Sequence, residues 1–141
     1  MSGKNIALKD YVEVDGHDLS DFASAYQEHS DDEQVDVSGF NPTGADEFLQ
    51  GKRTQSIDVT FFDSKASGEV HDVLYHLYRD RATFTFKHRD DQNNAVSSTN
   101  PQIEGNANIL SYGPGATRGQ ARSFQVTFVA ADSAGFVYTE S

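Results

Sequence analysis

The hydrophobic positions of residues 54–89 change from a period of two to a helical period and back again. In residues 54–62, apolar side chains alternate with polar ones, which is the pattern of a strand with one buried face. In residues 70–78, apolar side chains recur at spacings of three and four, which predicts a short amphipathic helix. Residues 82–88 alternate again and predict another strand. One helix is therefore expected in a chain whose other signals are strands.

The predicted helix has a defined start, end and buried face. Asp63 or Ser64 is expected to cap its N-terminus, and the helix is expected to end at about Tyr78, before the turn at residues 79–81. Its apolar stripe is assigned to the core of the protein and not to a partner surface. The residues of that stripe are Val70, Val73, Leu74 and Leu77.

The first third of the chain predicts strands and one long connection. Residues 6–14 indicate a strand or two, ended by an Asp-Gly turn. Residues 22–29 and 34–40 predict two strands that form a hairpin through residues 30–33. Residues 41–52 contain a proline, two glycines and little periodicity, so a long connection is expected there, of the kind that often carries function.

The last third completes a β-rich pattern. Residues 101–112 indicate an extended segment, and residues 123–130 alternate as a strand does. The tail of residues 132–141 has weak strand character at 136–138. Because no repeat or domain boundary is visible, one domain over residues 1–141 is expected. The predicted fold is mainly β, a β-sandwich or partly closed β-barrel with one flanking helix.

The charge of the chain is concentrated at one end. The formal net charge is −11, and residues 1–51 carry twelve acidic residues against only Lys4 and Lys9. Such a field opposes binding to nucleic acid through phosphate contacts. The absence of cysteine excludes disulfides and cysteine-based zinc sites. No long apolar run is present near the N-terminus, so neither a signal peptide nor a membrane span is expected, and synthesis in the cytoplasm is predicted.

No arrangement of residues predicts catalysis or a bound metal ion or cofactor. His71 and His76 would point about 140° apart on a helix, too far to hold one ion together. The acidic residues 31–33 and 90–91 lack the ligand spacing of a calcium loop. The glycine-rich residues 113–119 lack the lysine of a phosphate-binding loop and precede a strand. We therefore expect a protein that is not an enzyme and that uses no cofactor.

With this order of elements, the chain resembles the tail tube (major tail) proteins of long-tailed bacteriophages, which are related to the tube proteins of contractile tails and type VI secretion systems. The resemblance covers roughly residues 35–131 and lies in pattern and order, without a signature motif. The segments that show the resemblance are Gly51-Lys52 before the strand Ser56–Phe62, the helix Gly68–Leu74, the Asn100-Pro101 loop before Gly105–Tyr112, and the strand Ser123–Val129.

The resemblance implies a structural protein of the virion tail, made in the host cytoplasm. In the family, subunits close into rings, typically hexameric, and the rings stack into a hollow tube. Genomic DNA passes through this tube into the host without specific binding. The expected partners are therefore further copies of the chain and the other tail proteins at the tube ends, with no membrane.

The residues predicted to line the channel lie opposite the apolar rows of their strands. An acidic or neutral polar lining suits the passage of DNA, because a basic lining would bind phosphates. Acidic residues of the predicted 22–40 hairpin add negative charge if that hairpin also faces inward. The predicted lining residues are Ser56, Asp58, Thr60, Ser123, Gln125 and Thr127, together with Asp21, Glu28 and Asp36.

The long connection at residues 41–52 is the predicted contact with the next ring. It is mixed in charge and carries two large apolar side chains. The residues assigned to this contact are Asn41, Pro42, Asp46, Glu47, Phe48, Leu49 and Lys52.

Other interpretations share parts of this pattern. A tail-terminator, a head–tail joining protein or a tube protein of a contractile injection device would have the same fold. A monomeric β-sandwich module that binds carbohydrate or protein would need an exposed aromatic platform. An enzyme is the third alternative, although its catalytic constellation is missing.

Overall fold

A computed structural model of the chain describes residues 9–40, 44, 48–132 and 134–140. In this part of the chain, the strands form one antiparallel sheet, accompanied by a single α-helix and one 3-10 turn at Ser20–Phe22. The elements are β1 Tyr11–Val14, β2 His17–Asp18, β3 Ala23–Asp36, β4 Phe48–Phe62, α1 Val70–Arg79, β5 Phe84–Arg89, β6 Gln102–Ser111, β7 Ser123–Ala130 and β8 Val137–Thr139.

The sheet is rolled but not closed. Its strand order is β2-β1-β5-β6-β7-β4-β3, and β8 pairs with β6 beside the end of β7. Although three strands lie between β5 and β3, the Tyr26 ring of β3 stacks on the His88 ring of β5 at a centroid distance of 3.6 Å. The two edges of the sheet are not paired within the described residues. The predicted mainly β fold with one flanking helix is confirmed.

The inner face of the roll holds the core. The alternation predicted for residues 54–62 and 123–130 is confirmed, because paired residues of β4 and β7 are buried together on this face. Helix α1 packs on the same core with Val70, Val73 and Leu74 buried, and Leu77 lies partly buried against it. The paired residues are Ile57 with Phe128, Val59 with Val126, and Phe61 with Phe124.

Helix α1 begins later than predicted. A turn closed by the Glu69 N–H and the Ala66 carbonyl precedes it, so Glu69 is the N-cap residue and the predicted caps Asp63 and Ser64 are wrong. The helix runs to Arg79 and spans ten residues. No helix in the described part of the chain is long and apolar enough to span a bilayer.

The largest departure from prediction is strand β3. The predicted turn at residues 30–33 is absent, and Ala23–Asp36 forms one continuous strand of fourteen residues. Strand β3 pairs with β4, which places Asp32 opposite Arg53. The acidic residues 31–33 therefore lie in a paired strand, with the positive charge of Arg53 beside them. The predicted connection is therefore displaced towards the N-terminus, because β3 ends at Asp36 instead of residue 40 and Phe48–Lys52 already belong to β4. The inter-ring residues Asn41, Pro42, Asp46 and Glu47 lie outside the described residues.

Candidate functional site

Six polar residues form a patch on the outer face of β4 and β7. Directly opposed residues of antiparallel strands share a face, and the register places Asp58 opposite Thr127 and Thr60 opposite Gln125. At the two ends of the patch, Ser56 lies opposite Val129 and Ser123 lies opposite Phe62. This patch, called the polar face below, thus turns away from the buried rows of both strands. Its members are Ser56, Asp58, Thr60, Ser123, Gln125 and Thr127.

Asp58 is the one acidic residue among the six of the polar face, and two neighbouring side chains contact its carboxylate. Thr127 Oγ1 donates a hydrogen bond of 2.7 Å to Asp58 Oδ1. His29 Nε2 lies 3.2 Å from Asp58 Oδ2, and the side chain of Asp58 is 20% exposed. The remaining five side chains are hydroxyls and one amide. The polar face therefore offers hydrogen bonds and some negative charge, but no lysine or arginine that would grip a phosphate.

The three further acidic residues predicted for the channel do not extend the polar face. Asp21 is exposed on the 3-10 turn before β3. Glu28 is opposite Ile57, on the other face of the sheet, and accepts hydrogen bonds from the Tyr26 and Tyr138 hydroxyls. Asp36 is exposed at the end of β3, where a hydrogen bond from the Ser38 backbone N–H lowers the pKa of its carboxyl.

Strands β3 and β4 extend beyond the sheet as a two-stranded arm. Strand β4 pairs with β7 only from Ser56 onwards, so residues 48–55 pair with β3 alone. We call residues 30–36 and 48–55 the ribbon. Near its end, Val35 lies opposite Leu49, and these side chains are 39% and 61% exposed. Lys52 is exposed on the ribbon as well. The described end of the ribbon thus presents an apolar pair to solvent.

An ion pair fixes the two strands of the ribbon to each other. Arg53 Nε donates to Asp32 Oδ1 at 2.6 Å, and Arg53 Nη2 donates to Asp32 Oδ2 at 3.2 Å. Gln50 Nε2 donates to the same carboxylate at 2.9 Å. The hydrogen bond and charge of Arg53 lower the pKa of Asp32. This two-point contact orients the ribbon more than it stabilises the protein, because it lies at the surface.

The C-terminal segment braces the base of the ribbon. The Gln55 side-chain amide accepts a hydrogen bond of 2.9 Å from the Phe136 N–H and donates one of 3.2 Å to the Phe136 carbonyl. Gly135 has a φ of +66°, and a Cβ there would lie 2.1 Å from Gln55 Oε1. Between this segment and the edge of β4 lies a groove of about 630 Å³. Residues 135 and 136 therefore contact the base of the ribbon, at the point where it leaves the sheet.

The helix presents a group of aromatic side chains that the sequence analysis did not single out. Tyr75 and Tyr78 are 38% and 40% exposed, and each ring lies within about 6.2 Å of the Tyr112 ring. His71 Nδ1 lies 2.7 Å from the Tyr112 hydroxyl. Burial, aided by the charge of Asp63, raises the pKa of Tyr112 to about 12. Tyr75 lies on the exposed side of the helical period, which is the signal that could have identified it. Tyr78 falls at the end of the predicted apolar stripe, eight positions after Val70, but it is exposed in the structure.

A second group missed from the sequence joins residues that are far apart along the chain. His88 is buried, and its Nε2 lies 2.9 Å from Asp10 Oδ2. Asp90 lies beside this pair. No spacing rule connects Asp10 with His88, which are separated by 78 positions. Only the pairing of β1 with β5 brings them together.

This chain was compared with known proteins in sequence and in structure, and only the structural comparison finds matches. Neither a protein-family model nor a curated protein sequence matches this chain significantly. Among solved structures, a chain from the virion of a native gene transfer agent particle matches with a TM-score of 0.72 and 17% identity. That match covers 93% of this chain and 95% of the other.

Two further structures are tails. A chain in the tail of an empty gene transfer agent particle with C6 symmetry matches with a TM-score of 0.65 and 18% identity, covering 84% of this chain and 82% of the other. The SPP1 tail tube matches with a TM-score of 0.68 and 14% identity, covering 94% of this chain and 76% of the other. The protein therefore has the fold of these tail and virion proteins.

Proposed function

We propose that this protein is the subunit of a phage-type tail tube. Copies of the chain form rings of six subunits, which is the symmetry of the C6 tail whose fold the chain shares. The rings stack into a hollow conduit. The conduit belongs to the virion tail and carries the genome into the host, after synthesis of the subunit in the host cytoplasm. The observation that carries this proposal is the two-sided sheet, with a packed core on one face and, on the other face of β4 and β7, six polar residues that include no lysine or arginine.

The polar face is assigned to the channel. DNA carries one negative charge per about 1.7 Å of its axis, so cations along a conduit would retain it. The hydroxyl groups and the partly covered carboxylate of Asp58 keep the lining wet and weakly negative. Asp21 and Asp36 are exposed and remain candidates for additional negative charge elsewhere in the channel, whereas Glu28 is held on the opposite face by two tyrosines.

The ribbon and the connection at its tip are assigned to contacts between rings. An exposed apolar pair on an extended two-stranded arm is a liability in a monomer and a docking element in an assembly. Val35 and Leu49 form such a pair. Together with Lys52, Phe48 and the connecting residues Asn41, Pro42, Asp46 and Glu47, they form the proposed contact. Because head-to-tail contacts need not close, stacking of this kind continues indefinitely.

Electron microscopy of the purified protein tests this function. At rising concentration we expect hollow filaments built from stacked rings, with six subunits in each ring when viewed along the axis. Single closed rings that do not elongate would instead indicate a tail-terminator or a head–tail joining protein. Sedimentation at the monomer mass of 15.5 kDa at all concentrations would overturn the assembly altogether.

One observation favours a second candidate, a binding module. The exposed Tyr75 and Tyr78, beside the partly buried Tyr112, form an aromatic group of the kind that such a module needs. The rings of Tyr75 and Tyr112 are tilted by 51°, however, so they do not form the flat surface on which a sugar ring stacks. Binding of soluble oligosaccharides to a protein that stays monomeric would support the module over the tube.

A further inference from the structure

A mixed group of metal-ligating side chains lies where β1 begins and β5 ends, away from the polar face and the ribbon. It consists of Asp10, His88 and Asp90, and one ligand atom of each lies within 4.8 Å of the others. The two closest atoms, His88 Nε2 and Asp10 Oδ2, are 2.9 Å apart. Two atoms that bind the same ion through bonds of about 2.1 Å lie at most about 4.2 Å from each other. The three side chains thus need only small adjustments to share one ion.

The backbone fixes this group in place. Tyr11 pairs with Arg89 and Val12 pairs with His88, and a bridge joins Lys9 to Asp91. That bridge is parallel, so the antiparallel pairing ends at Tyr11 and Arg89. Asp10 directly precedes Tyr11, and Asp90 directly follows Arg89. Both carboxylates therefore lie at the same end of the β1–β5 ladder, beside His88.

The histidine determines which cation suits the group. His88 is only 4% exposed, and the Tyr26 ring stacked on it at an interplanar angle of 6° holds the imidazole plane. Its Nε2 is thereby directed at the carboxylates. Calcium and magnesium prefer ligand sets made only of oxygen. A set of one imidazole and two carboxylates suits a divalent transition metal such as Mn²⁺ or Zn²⁺.

The surroundings add negative charge. Glu28 lies nearby, held by the hydroxyls of Tyr26 and Tyr138. Two cations lie beside the group, and each has a partner of its own. Lys9 Nζ lies 3.7 Å from Asp91 Oδ2, and Arg89 donates a hydrogen bond of 2.8 Å to the Gln102 side chain.

We propose that Asp10, His88 and Asp90 form a binding site for one divalent transition-metal ion, which ties the start of β1 to the end of β5. This site does not depend on the proposed tube function.

Titration of the full chain with Mn²⁺, followed by electron paramagnetic resonance, tests the site. We expect saturable binding of one ion per chain and a rise in Tm on addition of Mn²⁺. Asp90→Asn and Asp10→Asn each weaken binding by at least about tenfold. Because Asp90 is exposed and Asn keeps the size of its side chain, Asp90→Asn is expected to fold. Its Tm in the presence of a chelator, compared with that of the unaltered protein, separates any loss of stability from a loss of metal binding.

Asp80→Asn is the matched control, since it removes one exposed carboxylate at the far end of α1. It is expected to bind Mn²⁺ as the unaltered protein does. Two results would overturn the proposal. One is the absence of saturable binding at millimolar Mn²⁺. The other is equal binding by Asp90→Asn and Asp80→Asn, which would mean that the acidic surface attracts the ion without a site.

Discussion

At the scale of single residues, burial decides which apolar side chains matter for stability. Leu74 is fully buried, whereas Leu110 is 65% exposed. Leu74→Ala is expected to lower the free energy of unfolding by about 2–5 kcal/mol, because it removes packed methyl groups and leaves a cavity. Leu110→Ala, the same chemical change, is expected to alter it by no more than about 0.5 kcal/mol. Urea denaturation measures both, and equal losses would contradict the core assignment of α1.

The Asp32–Arg53 ion pair predicts how part of the protein's stability depends on pH. The arginine lowers the pKa of Asp32 below its ordinary value of 3.8. The pair therefore contributes its stability at pH values above 3.8, and this contribution is lost as the pH falls through the lower value of the folded state. Arg53→Gln is expected to raise the pKa of Asp32 towards 3.8, as followed by NMR of the carboxyl carbon.

Asp36 provides an internal control in the same titration. Its pKa is lowered by hydrogen bonds from Ser38 and not by Arg53. It should therefore titrate identically in the Arg53→Gln protein. A shift of both carboxyls would indicate that the whole ribbon had changed conformation.

At the scale of elements, the C-terminal segment positions the ribbon through a close backbone approach. Gly135→Ala introduces a Cβ that would lie 2.1 Å from Gln55 Oε1. Gly119 also has a positive φ, of +85°, but a Cβ there meets open space. Gly119→Ala is expected to cost about 1–2 kcal/mol in unfolding free energy from backbone strain alone. Gly135→Ala is expected to cost more.

The excess loss at Gly135 should depend on Gln55. Thermal or chemical denaturation of both alanine variants in a Gln55→Ala background makes this test a double-mutant cycle. In that background the two losses are expected to become similar. If the difference persisted, the contact with Gln55 would not be its cause.

The ribbon itself yields a prediction about assembly. Leu49→Asp places a charge on an exposed apolar position, so the monomer is expected to keep its Tm while filaments fail to elongate in the electron microscope. Leu49→Met, which keeps the position apolar, should still form filaments. Filaments of normal length from Leu49→Asp would remove this position from the contact between rings.

The same elements show how far the sequence could be interpreted. Periodicity predicted α1, β7 and the sheet half of β4, because each has one face packed on the core. It failed for β3, since Asp31, Asp32 and Glu33 look like a turn until Arg53 is placed opposite them. The polar face was predictable because alternation fixes which side chains turn away from the core. The Asp10–His88 contact was not, because it depends on the pairing of distant strands.

At the scale of the whole molecule, charge reversal on the polar face separates assembly from transport. Asp58→Lys adds a cation to the proposed channel without touching the ribbon, so tubes are expected to form while DNA delivery falls. Electron microscopy and a delivery assay with the assembled particles measure the two effects. Asp80→Lys makes the same change of charge at the end of α1 and should deliver normally. Normal delivery by Asp58→Lys would exclude Asp58 from the lining.

Strand β4 runs for fifteen residues from the ribbon to the polar face without interruption. Its first half pairs with β3 alone, and its second half pairs with β3 on one side and β7 on the other. The Gln55–Phe136 contact lies where these two halves meet. If the rings stack as proposed, a displacement of the ribbon by the next ring would reach the proposed channel face along a single strand. Bending of such a tube would then be passed from ring to ring as a torsion of the proposed channel wall.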